Sequence, residues 1–156
     1  MKDLNIKKHP DPVLRKKSGS LKKFGESEKE LASQMTTTMR VTHGIGLAAP
    51  QVGISKRIII VDTESGILKM VNPKIISKKG SSSLEEGCLS VPDKSVNVKR
   101  AEEITISYID ENNKERTETF SGLTARVIQH ELDHLAGKLI IDYLPWYKRI
   151  FVIGRS

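Results

Sequence analysis

Apolar residues along this chain recur with two different periods, and the changes between the periods mark out its elements. Leu31, Met35 and Met39 return every four positions, the spacing of one helix face. Ser27-Glu28-Lys29-Glu30 just before them matches a capping box, and Gly44 can take the left-handed conformation past a helix end. A helix is therefore predicted from Ser27 to near His43. A second helical recurrence covers residues 123–136, with Ser121 as N-cap and Gly137 as the stop. Arg57-Ile58-Ile59-Ile60-Val61-Asp62 is an unbroken, largely β-branched run, as in a buried strand. Residues 66–71 and 73–77 predict two more strands, parted at Asn72-Pro73, and residues 78–83 a polar, flexible turn. Residues 103–108 alternate apolar and polar, 110–114 make a hairpin turn, and 115–120 return as its partner. Leu139-Ile140-Ile141 is a short apolar segment. The first 25 residues predict an irregular arm, because Pro10 and Pro12 restrain the residues before them. Residues 44–53 form a loop of small residues. With no repeat, low-complexity tract or linker, the economical reading is one α+β domain over residues 1–156.

Composition changes this picture little. Hydrophobic residues are 37% and charged residues 29%, ordinary for a soluble globular chain. No apolar run reaches about 18 residues, so no membrane span is expected. The N-terminal residues lack the apolar core of a signal peptide, so the protein is expected to stay where it is made. A single cysteine, Cys88, forms no internal disulfide and fits a reducing compartment. A net charge of +7 raises a nucleic-acid or ribosome partner. The basic residues are scattered and few aromatics lie among them, so charge alone favours a lysine-rich surface.

The chemistry sits in His130-Glu131-Leu132-Asp133-His134. Two histidines four residues apart lie about one helical turn apart and can bind one metal ion, with Glu131 at its edge to move protons. Val127, Ile128 and Leu135 place this helix in a core, where unpaired histidines are costly. Cys88, in Glu85-Glu86-Gly87-Cys88-Leu89-Ser90, is a candidate third ligand, which would leave the open fourth position of a catalytic metal. The same residue also reads as a small buried hydrophobe, or as a nucleophile paired with histidine.

Three stretches together resemble the peptide deformylase family. They are Gly44-Ile45-Gly46-Leu47-Ala48-Ala49-Pro50-Gln51, Glu86-Gly87-Cys88-Leu89-Ser90 and Gln129-His130-Glu131-Leu132-Asp133-His134-Leu135, and the similarity runs from about residue 5 to 144. The resemblance implies mixed or antiparallel sheets around a central HExxH helix, with one N-terminal helix. It implies removal of the N-formyl group from the N-formylmethionine of newly made polypeptides, releasing formate. Cys88, His130 and His134 would hold one divalent ion, usually ferrous iron, with zinc, nickel or cobalt able to occupy the site. Glu131 would be the general base and then the general acid. The Gln51 amide and the Leu89 backbone N–H would stabilise the oxyanion, each such donor being worth about 3 kcal/mol. The backbone of Gly44, Ile45 and Gly46 would pair with the extended peptide, Gly46 belonging to the catalytic set as well. Ile45, Leu123, Arg126, Val127 and His130 would border the methionine pocket, although Leu123 and Val127 read equally as core packing.

Two departures from the family pattern are Asp93, where glycine is frequent, and Ala136, where asparagine is frequent. An ion pair between Glu86 and Arg100 would brace the metal loop. The tail from Leu144 onward is short and admits a strand, a helix stub or an interface patch, which puts ribosome docking by a long C-terminal helix in doubt. Three other readings compete: an HExxH zinc endopeptidase, a deformylase-like hydrolase with another N-acyl substrate, and a basic RNA-binding protein with a structural metal. After His134 the only acidic residue is Asp142, outside the usual protease spacing, and no further Cys or His is offered nearby to close a structural site. The expected setting is a cytoplasmic monomer acting on nascent peptides, with no specific DNA and no membrane; an organellar or phage source is compatible with the sequence.

Overall fold

The unbroken apolar run after Arg57 is explained by where its strand lies. The computed structural model describes residues 4–153. Its strands in chain order are β1 (Gly46–Ala48), β2 (Ile58–Thr63), β3 (Gly66–Lys79), β4 (Ser82–Cys88), β5 (Val91–Arg100), β6 (Glu103–Ile109) and β7 (Glu115–Ser121). The helices are α1 (Glu26–Val41), α2 (Gly122–Leu135) and α3 (Trp146–Ile153). Five strands form one sheet of order β1-β2-β3-β6-β7, and among the described residues β4 pairs with β5 alone. Every pairing of these strands is antiparallel. The fold is thus α+β.

Strand β2 is buried on both faces, so its alternate side chains serve two cores. Ile59 and Val61 pack with Met70, Ile104 and Ile106 against Ala125, Ile128 and Leu135 of α2. Ile58 and Ile60 pack with Leu47 and Val71 against Ala32, Met35 and Met39 of α1. The methionines expected as core are fully buried, and each such side chain contributes about 2 kcal/mol. Helix α2 therefore spends one face on the sheet. Its other face, Arg126, His130 and His134 at four-residue intervals, is left for the β4–β5 hairpin. A third core seats that hairpin: Val91, Val96 and Val98 pack with Leu14 of the arm and with Leu139, Ile140 and Ile141.

Several boundaries differ from the sequence reading. Residues 66–79 are one strand, not two. Asn72 takes a left-handed φ of 52°, and the register shifts there without ending the strand. The Asn72 side chain accepts from Leu21 N at 2.9 Å and donates to Leu21 O at 2.6 Å. Strand also occupies both flanks of the turn predicted at 78–83. The N-cap of α1 is Gly25, not Ser27: Glu28 accepts the Gly25 N–H at 3.2 Å. His43, not Gly44, takes the left-handed residue after α1, with φ 59°. The small-residue loop holds β1 and a 3-10 turn, Ala49–Val52. Gly137 does close α2, at φ 77°, and a Cβ there would lie 2.5 Å from the Arg15 carbonyl oxygen. Asp93 has φ 63°, a conformation that glycine adopts freely and that aspartate tolerates better than most residues. Beyond Leu144 the chain forms α3, a helix stub, with Trp146 and Tyr147 exposed. No helix among the described residues is long and apolar enough to cross a membrane.

Candidate metal centre

Helix α2 and the end of β4 bring three donors together. His134 Nε2 lies 3.2 Å from His130 Nε2 and 3.4 Å from Cys88 Sγ, and all three donor atoms lie within 4.8 Å of one another. A tetrahedral ion with bonds of about 2.0–2.1 Å to nitrogen and 2.3 Å to sulfur spaces its donors by about 3.3 Å (N–N) and 3.6 Å (N–S). The two spacings from His134 fit that demand. A register shift between Glu86 and Cys88 helps to aim the thiol, as bulges beside sites commonly do.

Glu86 braces this arrangement and is 8% exposed. Its Oε1 accepts from Arg100 Nη2 at 2.8 Å and faces His130 Nδ1 at 3.0 Å. Its Oε2 accepts from Arg100 Nε at 2.9 Å and Arg126 Nη1 at 2.7 Å. The expected Glu86–Arg100 pair is therefore present. Burial alone would raise the Glu86 carboxyl; the hydrogen bonds of Arg100 and His130, the Arg100 charge and Arg126 outweigh it and hold Glu86 well below the usual carboxylate range. Arg100 also reaches Asp133 Oδ2 at 2.7 Å, which accepts from the Tyr143 hydroxyl at 2.6 Å.

Burial lowers the proton affinity of His130, but hydrogen bonds with Cys88 and Glu86 and the Glu131 charge prevail and lift it to about 10. His134 goes the other way: burial, then the charges of His130 and Arg100, push it well below its ordinary value. The cluster thus favours a positive charge on one ring and keeps the other neutral; both rings must be neutral to ligate, so an ion bound there would displace the His130 proton.

Glu131 is 3% exposed, and its Oε2 has no hydrogen-bond partner among the described residues. Burial raises its carboxyl to about 7, against the opposing charges of His130 and Arg100. Gly46 makes this niche possible, since a Cβ there would meet Val127 Cγ1 at 2.6 Å and Glu131 Oε1 at 2.9 Å. Gln51 is oriented by its own 3-10 turn. Its Oε1 accepts the Ala48 N–H at 3.0 Å, which turns Nε2 toward Ser90 Oγ at 3.3 Å and Cys88 Sγ at 3.8 Å.

A cavity of about 530 Å³ opens over these groups. It takes in Gly44, Ile45, Gly46, Gln51, Cys88, Leu89, Leu123, Arg126, Val127, His130 and Glu131, with His134 buried behind. The residues singled out in the sequence therefore converge. Ile45 and Leu123 are exposed at the rim. The Arg126 guanidinium, however, is turned to the hairpin rather than to the cavity. Leu84 was missed; it is exposed at the same rim, and its signal was an apolar residue alone in a polar run. Ser90, fully buried beside Gln51, was missed as a separate contributor.

Comparison with known proteins gives consistent results. A family model described as polypeptide deformylase matches residues 3–149. A peptide deformylase of Dictyoglomus thermophilum is 48% identical over 137 residues, 88% of this chain and 90% of that protein. The crystal structure of a peptide deformylase from Legionella pneumophila superposes with a TM-score of 0.91 at 40% identity, covering 96% of this chain and 90% of that one. The structure of peptide deformylase from Ehrlichia chaffeensis in complex with actinonin gives a TM-score of 0.94 at 36% identity, covering 99% and 96%.

Proposed function

The chain belongs to the peptide deformylase family, hydrolases that remove the N-formyl group, and from that premise we propose how its own residues carry the reaction. Cys88, His130 and His134 hold one divalent ion, ferrous iron by the family resemblance; a donor set of two imidazoles and one thiolate also accepts zinc, nickel or cobalt. Bound there, the ion supplies Lewis-acid polarisation of the formyl carbonyl and a lowered pKa for water. Glu131 takes the proton of the attacking water, then delivers it to the departing amine as formate leaves. Its raised proton affinity, about 7, suits a group that must both accept and return a proton near neutrality. Gln51 Nε2–H and the Leu89 N–H donate to the oxyanion, and the Ala48 contact holds the Gln51 amide the right way round. Gly44, Ile45 and Gly46 pair with the formylmethionyl backbone. Leu123 and Val127 border its side chain. On this reading the protein works in the cytoplasm, where formylated nascent chains arise, and does so as a monomer.

The observation that carries this reading is the convergence of one thiol and two imidazoles beside a buried carboxylate whose Oε2 has no partner among the described residues. The endopeptidase alternative needs a downstream ligand, and Asp142 is committed to Arg15 at 2.6 Å. The test is formate release from formyl-Met-Ala-Ser by the anaerobically purified, iron-loaded protein beside Glu131→Ala. Rapid release by the parent and a loss of about 10²–10⁴-fold in the variant are expected. An active Glu131→Ala with normal metal content would remove Glu131 from its role.

A further inference from the structure

The residue placed least comfortably by a methionine-pocket role is Arg126. It lines the cavity, yet its guanidinium is nearly buried and every partner it has lies on the hairpin. Nη1 donates to Glu86 Oε2 at 2.7 Å and to the Val98 carbonyl at 2.9 Å. Nη2 donates to the Ser82 carbonyl at 2.7 Å and to Ser82 Oγ at 3.2 Å. Ser82 opens β4 and Val98 lies on β5, so one side chain of α2 ties down both strands.

We propose that Arg126 is a positioning residue for the metal centre: it cross-links the helix that carries His130 and His134 to the hairpin that carries Cys88. The inference rests on the ligand assignment proposed above. Its second support is the way Glu86 is shared. Arg100 grips Glu86 as a fork, taking one lone pair from each oxygen. One lone pair then remains on each. Arg126 takes that of Oε2, which leaves Oε1 facing His130 Nδ1. A ligating imidazole needs this contact, because a donated Nδ1–H fixes the ring's orientation and leaves Nε2 bare for the ion. Arg126 thus sets the tilt of the carboxylate that orients His130, four residues along the same helix face. The extra positive charge is no obstacle to a cation, since Arg100 and Arg126 are balanced by Glu86 and Asp133.

Lysine offers no planar fork and cannot reach Glu86, Val98 and Ser82 together. Methionine fills the stem's volume and makes none of the bonds. The experiment loads the parent, Arg126→Met and Arg126→Lys with Co²⁺, records the thiolate-to-cobalt absorption, and measures affinity by competition with a chelator. KM and kcat for formyl-Met-Ala-Ser are measured at saturating cobalt. Arg126→Met is expected to weaken Co²⁺ binding by about 10–100-fold and to alter the absorption bands, with Arg126→Lys between it and the parent. KM should stay within about threefold. Should Arg126→Met fail to fold, as judged by its near-ultraviolet dichroism, Arg126→Lys decides, with about threefold or greater weakening expected. Unchanged cobalt affinity together with a raised KM would overturn the proposal and return Arg126 to the peptide pocket. A parent with no thiolate-to-cobalt band would instead remove the ligand assignment, and this inference with it.

Discussion

Glu86 on the hairpin and Glu131 on the helix are 8% and 3% exposed and belong to the same site. Glu86 is gripped by two guanidinium groups and an imidazole, and stays ionised far into acid. Glu131 has an oxygen with no partner and holds its proton to about 7. Burial is common to both and pushes both upward. What separates them is the number of donors aimed at each carboxylate. One has become a fixed structural anion, and the other has the proton affinity of a working acid–base group.

The contrast can be broken most severely at Glu86. Glu86→Ala would leave Arg126 with no counter-charge and Arg100 with Asp133 alone. A loss of about 3–5 kcal/mol in urea unfolding of the chelated protein is expected, the range for removing one partner of a buried pair. A loss under about 1 kcal/mol would mean that water reaches the arginines. Glu131→Gln should act with the opposite sign. The folded carboxyl binds its proton up to about 7, against a reference of 4.5. Between those values the folded state therefore holds more protons than the unfolded state, and stability falls as pH rises. The penalty is absent below about 4.5 and complete above about 7. Chelated Glu131→Gln should therefore exceed the parent by about 3 kcal/mol at about pH 8 and match it near pH 4.5. A gain that is equal at both values would show that proton binding is not its source. Gly46→Ala tests the niche itself, since the new methyl would press on Val127 and Glu131. We expect kcat/KM to fall about 100-fold while cobalt affinity holds, the scale of a roughly 1 Å misplacement. Parent-like activity would mean that β1 shifts freely.

What was legible in the sequence was local. Helix α2, the stop at Gly137 and the β6–β7 hairpin each carry their signal within a dozen residues. The donors His130 and His134 came from their spacing, with Cys88 as a candidate third; the neighbours Gln51 and Gly46 came from motif resemblance, and the structure brings all five together. The β4–β5 hairpin was not foreseen. Its first strand is mostly exposed and polar, and its second contains Pro92 and a left-handed Asp93. The alternation Val96, Val98, Arg100 does point to a buried face, but an arginine at the third position disguises it. Asn72 read as a strand end because its compensation, Leu21, lies far away in sequence. Arg126 was placed at the pocket by the family resemblance, and it does line the cavity; its partners at positions 82, 86 and 98 cannot be seen from the helix.

The hairpin also bears on how long an ion stays. Two strands alone are marginally stable in water, and among the described residues β4 and β5 pair with no other strand. Their order is borrowed from the third core and from the side chains clasping Glu86. With Cys88 as a ligand, losing the ion requires the sulfur to withdraw, and the sulfur rides on this borrowed element. If Cys88 ligates the ion, a substitution in the third core that loosens the hairpin, far from the donors, is expected to shorten the ion's stay.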